Sequence, residues 1–256
     1  MLTIWSRSRL LSIIQYPTVW ILTNESFRVN MASGKEGEMG TKTENLKAAA
    51  PAKRSFRAQM HLAREDAIVE VVNRLLAERG YEAMTVDDVA AEVGIAKASL
   101  YRHFPSKEDL AAAAMVRMLQ RALAYVDTLD DPTAEGAPAT PLNKLKAATR
   151  WTLKAQLQGE LPSLPSHNSG LRGALTQNED YVSALMGLSD RLGAWIEAAQ
   201  ADGSLDAQLP PIAVLYTLYA RGCDPVLGFL QGTGEFTDAQ IVEMVLGTCF
   251  NGLAAR

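Results

Sequence analysis

Residues 85–110 read TVDDVAAEVGIAKASLYRHFPSKEDL and decide the fold of this 256-residue chain. Their first part predicts a two-turn helix over 86–93, because four apolar residues recur at i, i+3, i+4 and i+7: Val86, Val89, Ala90 and Val93. A second short helix is predicted over 97–104, with Leu100 and Phe104 on its inner side. The connector Gly94-Ile95-Ala96 gives the pair the layout of a helix-turn-helix, which presents its second helix to the DNA major groove. An ordinary buried helical hairpin has the same spacing and stays open as an alternative.

The ends of the first helix carry residues that favour starting and stopping a helix. Thr85 and Asp88 form a capping box, in which a hydroxyl and a carboxylate bind the free amides at the helix start. Gly94 follows the last apolar residue, where a helix commonly ends in a left-handed conformation that glycine adopts without steric cost. These signals support two separate helices joined by a tight turn.

Helices are also predicted on both sides of the motif. The preceding helix covers about 62–79 and is closed by Gly80, and its inner stripe supplies a third wall for a small core: Ile68, Val71, Val72, Leu75 and Leu76. Pro105 ends the second helix of the motif. Ser106 and Asp109 then form another capping box, which begins a longer helix that runs to about residue 127.

Residues 63–115 resemble the N-terminal DNA-binding domain of TetR-family (TetR/AcrR-type) transcriptional regulators. The resemblance rests on RGYEAMTVDDVAAEVG at 79–94 and SLYRHFPSKEDL at 99–110, in which several unrelated positions agree in order and spacing. It implies that Thr85 and Lys107 hold DNA phosphates. It also implies that five residues of the second, recognition helix face the major groove: Lys97, Ala98, Ser99, Tyr101 and His103.

Two positions depart from the family pattern. Ala96 stands where the family often has a serine that caps the recognition helix, and Ala98 stands where glycine is frequent. Loss of a side-chain cap destabilises a helix by roughly 1 kcal/mol. We therefore expect the recognition helix to begin without a capping side chain.

Charge is distributed unevenly along the chain. Residues 1–107 carry 15 basic and 12 acidic side chains, a net charge of +3, whereas residues 108–256 carry 10 basic and 17 acidic side chains, a net charge of −7. The positive part of the chain includes the motif, which suits contact with DNA. Because +3 is a modest charge, binding would depend on directed contacts and dimerisation more than on a broad basic surface.

The first 60 residues are predicted to be an extension outside the folded part. Residues 10–22 are apolar but too short to cross a membrane, which needs about 20 apolar residues. Met31 is a possible natural start, and residues 31–57 have the composition of a disordered arm that either reaches into a minor groove or stays solvated. The predicted domains are a disordered extension over 1–60, a helix-turn-helix domain over 61–107, and a regulatory and dimerisation domain over 108–256.

The rest of the chain shows helical patterns and no convincing strand pattern, which predicts an all-α protein with a three-helix N-terminal domain and a larger C-terminal helical bundle. Further helices are predicted at 142–158, 171–176, 179–201, 210–222 and, after a break at Asp224-Pro225, up to about 254 with Thr237 and Gln240 as a cap. The last two helices carry more apolar residues than one side of a bundle needs: Val214, Leu218, Val226, Leu227, Phe229, Leu230, Ile241, Val242, Val245, Leu246, Cys249, Phe250 and Leu253. The resemblance implies a four-helix homodimer interface; the alternative is that these faces close the monomer core.

Seven bulky or adaptable residues of the C-terminal helices are candidates for an effector pocket: Trp151, Tyr181, Met186, Trp195, Tyr216, Tyr219 and Cys223. Each of them could equally be ordinary core packing. Their character favours a small-molecule effector that is mostly apolar or aromatic.

No enzyme site is predicted from the sequence. None of the three histidines (His61, His103 and His167) stands at metal-ligand spacing from cysteines or carboxylates, and neither a phosphate-binding glycine loop nor a nucleophile elbow is present. Cys223 and Cys249 lie in apolar helices and are expected to be reduced core residues. We therefore expect no catalytic residue, no metal and no cofactor.

These features together predict a cytoplasmic homodimeric repressor without membrane association. It would bind a palindromic operator in double-stranded DNA and be released by a small-molecule effector. Two alternatives remain: a DNA-associated protein whose C-terminal half binds another protein or no ligand, and a helical enzyme with an incidental helix-turn-helix. Binding to the DNA upstream of its own gene, and loss of that binding on adding ligands, would separate the three.

Overall fold

The computed structural model describes residues 56–131, 133, 138–162 and 170–253. All regular structure in these residues is helical, which confirms the predicted all-α fold. The helices of this part are α1 (Phe56–Ala83), α2 (Val86–Val93), α3 (Lys97–His103), α4 (Lys107–Asp130), α5 (Pro141–Leu157), α6 (Gly170–Gln177), α7 (Glu179–Ala201), α8 (Pro211–Ala220), α9 (Pro225–Thr233) and α10 (Asp238–Leu253), with a 3-10 turn (Arg221–Cys223) before α9. The predictions for residues 1–55, including the start at Met31 and the disordered arm, lie outside the described residues.

Helices α1, α2 and α3 form a small N-terminal unit, called the head below. Its core consists of side chains from all three helices and their connections: Ile68, Val72, Leu75, Leu76, Met84, Val89 and Leu100. The predicted capping box is present, because Thr85 Oγ1 accepts a hydrogen bond from the Asp88 amide and the Thr85 amide donates to the Asp88 carboxylate, both at 3.1 Å. Gly94 has φ 74° and ψ 34°, the predicted left-handed conformation at the end of α2.

Helix α1 is longer than the sequence pattern indicated. It begins at Phe56, so residues 56–60, which the apolar pattern left outside the predicted helix, are helical. The segment FRAQMHL contains good helix formers and neither glycine nor proline, which explains why the helix continues beyond the apolar stripe. At the other end Gly80 has φ 72° and ψ 170°, which breaks the helix where predicted.

Helix α4 connects the head to the C-terminal bundle. It begins at Ser106, whose hydroxyl accepts a hydrogen bond from the Asp109 amide at 3.0 Å, and it packs against α1 in the head and against α6 and α7 in the bundle. Helix α5 packs against α7 and α10, and α8 packs against α7. No helix in the described part of the chain combines the length and the apolar character that a bilayer-spanning segment requires.

Most of the apolar side chains of α8, α9 and α10 are buried within the monomer. Nine of the residues predicted for a dimer interface are buried against the bundle and close the monomer core, as the alternative interpretation held: Val214, Leu218, Leu227, Ile241, Val242, Val245, Leu246, Cys249 and Phe250. Three large apolar side chains of α9 and α10 remain on the surface, Val226, Phe229 and Met244, with 45%, 74% and 38% of their area exposed. The apolar surface left for a second copy is therefore smaller than the sequence pattern suggested.

Candidate functional site

The outer face of α3 is the surface for which the sequence predicts DNA contact. Leu100 is fully buried and fixes the helix on the head. Four residues are exposed on the opposite side, since positions i, i+1, i+4 and i+5 share one side of a helix: Lys97, Ala98, Tyr101 and Arg102. Ser99 is half-buried, and its Oγ accepts a hydrogen bond from the Arg102 guanidinium at 3.0 Å. Arg102 was not among the predicted contacts, although its position one turn after Ala98 could have shown that it shares the exposed face.

The N-terminus of α3 lacks a capping side chain, as predicted. Ala96 occupies the N-cap position with φ −66° and ψ 140°, and no side chain accepts a hydrogen bond from the first amides of the helix. The backbone still makes the first helical bonds, from the Ser99 and Leu100 amides to the Ala96 carbonyl at 2.7 and 3.2 Å. The helix is therefore held mainly by Leu100 and by its other contacts with the head.

The structure places His103, one of the five residues predicted to face the groove, on the inner side of α3. Only 9% of its side chain is exposed. Its ring lies against the ring of His61 in α1, with centroids 4.4 Å apart, and its Nδ1 lies 3.4 Å from Glu65 Oε1. The reason is the helical period, because His103 follows Leu100 by three residues and so shares its inner side.

Lys97 forms an ion pair at the start of the recognition helix. Its Nζ lies 2.9 Å from Oδ2 of Asp87 in α2, and this hydrogen bond raises the pKa of Lys97. Both side chains are largely exposed, with 47% and 72% of their areas accessible. Exposed pairs of this kind contribute little to stability, so the Lys97 ammonium can leave Asp87 at little cost.

Two further predicted phosphate contacts lie at helix starts. The Thr85 hydroxyl donates to Asp88 Oδ2 at 2.6 Å, and the hydrogen bonds from Thr85 lower the pKa of Asp88. Lys107 is half-buried in the first turn of α4, with its Nζ 4.3 Å from the centre of the Tyr81 ring and 3.4 Å from the Glu82 carbonyl oxygen. Both residues are thus held in place by neighbours in the head.

Tyr81 and Glu108 join the head to α4. The buried Tyr81 hydroxyl donates to Glu108 Oε1 at 2.7 Å. Burial, followed by the bond to Glu108, raises the pKa of Tyr81, and the same bond lowers the pKa of Glu108. A neutral phenol bound to a carboxylate therefore fixes the start of α4 relative to the head.

A cavity of about 140 Å³ lies in the bundle between α4, α5, α7 and α8. Four of the seven predicted pocket residues line it: Trp151, Tyr181, Tyr219 and Cys223. Helix α4 supplies one wall with Met118, Leu119, Ala122, Tyr125 and Val126. The rings of Tyr125 and Trp151 are stacked, with centroids 5.5 Å apart.

The cavity wall carries few polar groups. The Tyr219 hydroxyl lies 2.8 Å from Ser189 Oγ, and burial raises the pKa of Tyr219. Burial also raises the pKa of Tyr181 to about 12. Both phenols are therefore neutral at physiological pH, and no charged side chain is among the described residues of the wall.

The other three predicted pocket residues lie elsewhere in the bundle. The Trp195 indole donates to Asp130 Oδ1 at 3.0 Å, beside the Lys144 ammonium at 2.7 Å from the same oxygen. Met186 is packed half-buried against the core, and Tyr216 is half-buried on α8. Trp195 thus holds the end of α4 to α7, while none of the three contributes to the cavity wall.

Comparison with known proteins places the head in a family. Residues 68–114 match the profile of bacterial regulatory proteins of the tetR family. An uncharacterized HTH-type transcriptional regulator of Mycobacterium tuberculosis is 43% identical over 58 residues, which cover 23% of this chain and 29% of the relative. The negative transcriptional regulator of the icaADBC biofilm operon of Staphylococcus aureus, IcaR, is 46% identical over 46 residues, which cover 18% of this chain and 25% of the relative.

A solved structure extends the likeness to the bundle. The transcriptional regulator FadR of Bacillus subtilis, solved in complex with stearoyl-CoA, aligns with 73% of this chain and 98% of its own chain, with a TM-score of 0.54 and 17% sequence identity. At this identity the likeness concerns the fold alone. The sequence matches span less than a third of the length of the two curated relatives. Residues 68–114 thus match the tetR family of bacterial regulatory proteins, and the fold of the whole described part is similar to that of FadR.

Proposed function

We propose that this chain is a homodimeric repressor that binds a palindromic operator in double-stranded DNA and is released by a small apolar effector. The main support for the proposal is that helix α3 has one face buried on the head and the opposite face exposed. Leu100 anchors α3 on the head, while Lys97, Tyr101 and Arg102 are presented outward from an otherwise compact unit. This is the arrangement that lets a short helix enter a major groove.

The outward residues divide into two kinds of DNA contact. The Tyr101 side chain, with 42% of its area exposed, is suited to base edges, as are the small side chains of Ala98 and Ser99, which permit close approach. Lys97, Lys107 and Thr85 would bind phosphates and fix the position of α3. On DNA, Lys97 would leave Asp87 for a phosphate.

A second copy is required because one two-turn helix reads too few bases. A two-fold dimer presents two recognition helices to a palindrome, with half-sites about 34–36 Å apart. The exposed Val226, Phe229 and Met244 on α9 and α10 provide the apolar surface on which such a dimer would be centred. The name of IcaR, a negative regulator, supports repression as the outcome.

The effector proposal depends on the cavity and on helix α4. The cavity wall is apolar and neutral, and FadR, which shares the fold, was solved with stearoyl-CoA, a ligand with a long apolar chain. In this chain, the part of α4 that lines the cavity begins at Met118, which lies about 16 Å along the helix from Lys107 at 1.5 Å per residue. A ligand that moves α4 would change the separation of the two heads. Coupling between sites of this kind is typically about 1–3 kcal/mol, or roughly 5- to 150-fold in affinity.

Operator binding is tested by fluorescence anisotropy on the DNA upstream of the gene, over a range of salt concentrations. Tyr101→Ala should weaken specific binding by about 5- to 150-fold, corresponding to about 1–3 kcal/mol for a base contact. Lys97→Ala should weaken binding to all sequences and reduce the salt slope by about one. Lys154→Ala, an exposed lysine on α5, is the matched control and should change neither quantity. Wild-type affinity in Tyr101→Ala would contradict the proposed groove contact.

Dimerisation is tested by sedimentation of the full chain. Phe229→Glu places a charge at the most exposed large apolar residue of α9 and should convert dimers into monomers. Gln231→Glu adds the same charge to an exposed polar position of α9 and should leave the dimer intact. A dimer that resists Phe229→Glu would refute the proposed interface.

A further inference from the structure

Three side chains of types that bind metal ions lie close together in the head, away from the proposed DNA contacts and from the effector cavity. It comprises His61 and Glu65 in α1 and His103, the last residue of α3, and one ligand atom from each lies within 4.8 Å of the others. His61 Nδ1 lies 3.3 Å and His103 Nδ1 lies 3.4 Å from the same Glu65 oxygen, Oε1. The cluster therefore bridges two helices that are distant in sequence.

The two nitrogen-to-oxygen separations match edges of a coordination tetrahedron, and all three ligand atoms lie within 4.8 Å of one another. Zinc binds histidine nitrogen and carboxylate oxygen at about 2.0–2.2 Å, so neighbouring ligand atoms of a tetrahedral site lie roughly 3.3–3.5 Å apart. The observed distances of 3.3 and 3.4 Å fall in this range. The separation of His103 Nδ1 and Glu65 Oε1 also fits a long hydrogen bond, and metal titration distinguishes that bond from a shared ion.

The surroundings also suit a bound ion. The side chain of His103 is 9% exposed, that of Glu65 is 30% exposed and that of His61 is 58% exposed, so the cluster is closed on the side of the head and open to solvent on the other. Two imidazoles and one carboxylate leave a fourth position for water. His61 and Glu65 are four residues apart on one helix, which places both side chains on the same face.

We propose that His61, Glu65 and His103 bind a divalent transition-metal ion of the zinc class, one per chain. The ion ties the N-terminal part of α1 to the C-terminal end of the recognition helix. This tie matters because α3 has two turns and no capping side chain at its other end. Bound zinc then restricts α3 on the head and strengthens operator binding.

The binding step is tested without DNA, so its outcome is independent of the proposed repressor function. The full chain, stripped with a chelator, is titrated with Zn²⁺ by calorimetry and with Co²⁺, whose visible spectrum reports tetrahedral coordination. We expect one ion per chain and a higher midpoint of thermal unfolding with Zn²⁺. His61→Ala and Glu65→Gln should each weaken Zn²⁺ binding at least tenfold. Both alter half-exposed or exposed positions, so folding is preserved.

Two control variants remove metal-binding side chains that lie outside the proposed site. His167→Ala removes the only other histidine and Cys223→Ser removes the exposed thiol; neither should change Zn²⁺ affinity. His103→Ala should abolish the Co²⁺ spectrum, and if that variant unfolds, His61→Ala and Glu65→Gln still decide the matter. Absence of stoichiometric binding in the wild-type chain, or wild-type affinity in both of these variants, overturns the site.

The effect on DNA is measured separately, with and without Zn²⁺. Zinc should tighten operator binding of the wild-type chain by several-fold and leave His61→Ala unchanged. Equal tightening in both proteins overturns the link between this site and α3. Zinc binding without any operator binding would instead refute the repressor function and leave the metal site standing.

Discussion

Replacing Ala96 with serine should give α3 the side-chain cap that it lacks. Ala96 already has the extended backbone of an N-cap residue, with φ −66° and ψ 140°, so the new hydroxyl would need no change in the main chain. It would accept a hydrogen bond from the amide of Ala98 or Ser99, the positions that N-cap side chains reach. The substitution therefore adds one bond to a helix that is otherwise unchanged.

The expected gain follows from the size of capping effects. A serine in place of alanine at an N-cap stabilises a helix by roughly 1 kcal/mol, within a range of about 0.5–2 kcal/mol. If α3 opens locally, 1 kcal/mol slows amide exchange within it about fivefold. The amides to follow are those of Leu100 and Phe104, which bind the Ala96 and Leu100 carbonyls at 3.2 and 3.0 Å. Hydrogen exchange measured by NMR or mass spectrometry of the free protein resolves this change.

Ala98→Ser is the matched control for this experiment. It introduces the same hydroxyl two residues later, at an exposed position inside α3 where a side chain cannot cap the first turn. Serine has lower helix propensity than alanine, so this variant should exchange at the wild-type rate or slightly faster. Equal protection in Ala98→Ser and Ala96→Ser, or no gain in Ala96→Ser, would refute the view that α3 is limited by its missing cap.

Three further predictions concern stability. The hydrogen bond from Tyr81 lowers the pKa of Glu108, so its contribution to the free energy of unfolding is present above the ordinary carboxyl pKa and is lost as the pH falls through the lowered value. Tyr81→Phe should therefore lower the free energy of unfolding in urea by about 1 kcal/mol at neutral pH and by less in acid. Arg150→Ala removes an exposed ion pair to α10 and should lower the free energy of unfolding by less than about 1 kcal/mol. Ile241→Ala leaves a cavity at a fully buried site of α10 and should lower it by about 2–5 kcal/mol. The reverse order would show that the ion pair, not apolar packing, holds α10 on the bundle. Gly94→Ala forces a side chain into a left-handed turn with φ 74° and should lower stability by about 1–2 kcal/mol, with Gly94→Asn less affected.

Local features of the chain were predictable because neighbouring residues determine them. The capping box of Thr85 and Asp88 and the left-handed Gly94 fix both ends of α2, and they appear as predicted. The long helix α7 likewise begins at Glu179 and ends at Ala201, at the predicted residues. In each case the signal lies within a few positions of the structure that it determines.

Contacts between distant segments were harder to predict. His103 could have been placed inward from Leu100 by helical period alone, but its partners His61 and Glu65 come from a helix whose start the apolar stripe did not reveal. The sequence predicts that this helix begins at about residue 62, which places His61 outside the helix and hides its i, i+4 relation to Glu65. The third member, His103, lies 38 positions from Glu65, and no local spacing indicates a contact over that distance.

The candidate pocket shows the same limit. The choice of aromatic residues on converging helices includes Trp151, Tyr181 and Tyr219, which line the cavity. The same reasoning also selected Trp195, whose indole is engaged by Asp130 at the end of α4. Residue type cannot distinguish these cases, because which face of each helix meets the cavity depends on how the helices pack.

The size of the cavity bears on how an effector could act. Pockets that enclose drug-sized ligands measure roughly 300–1,000 Å³, whereas this cavity measures about 140 Å³. Under the proposed mechanism a larger ligand enters by moving the wall, since closely packed helices shift as units instead of deforming locally. Because Leu119, Ala122 and Val126 belong to α4, widening the cavity on that side displaces the helix that Tyr81 and Glu108 join to the head. A ligand small enough to fill the existing space would bind without moving the heads, so under the proposed mechanism size decides which apolar molecules release the DNA.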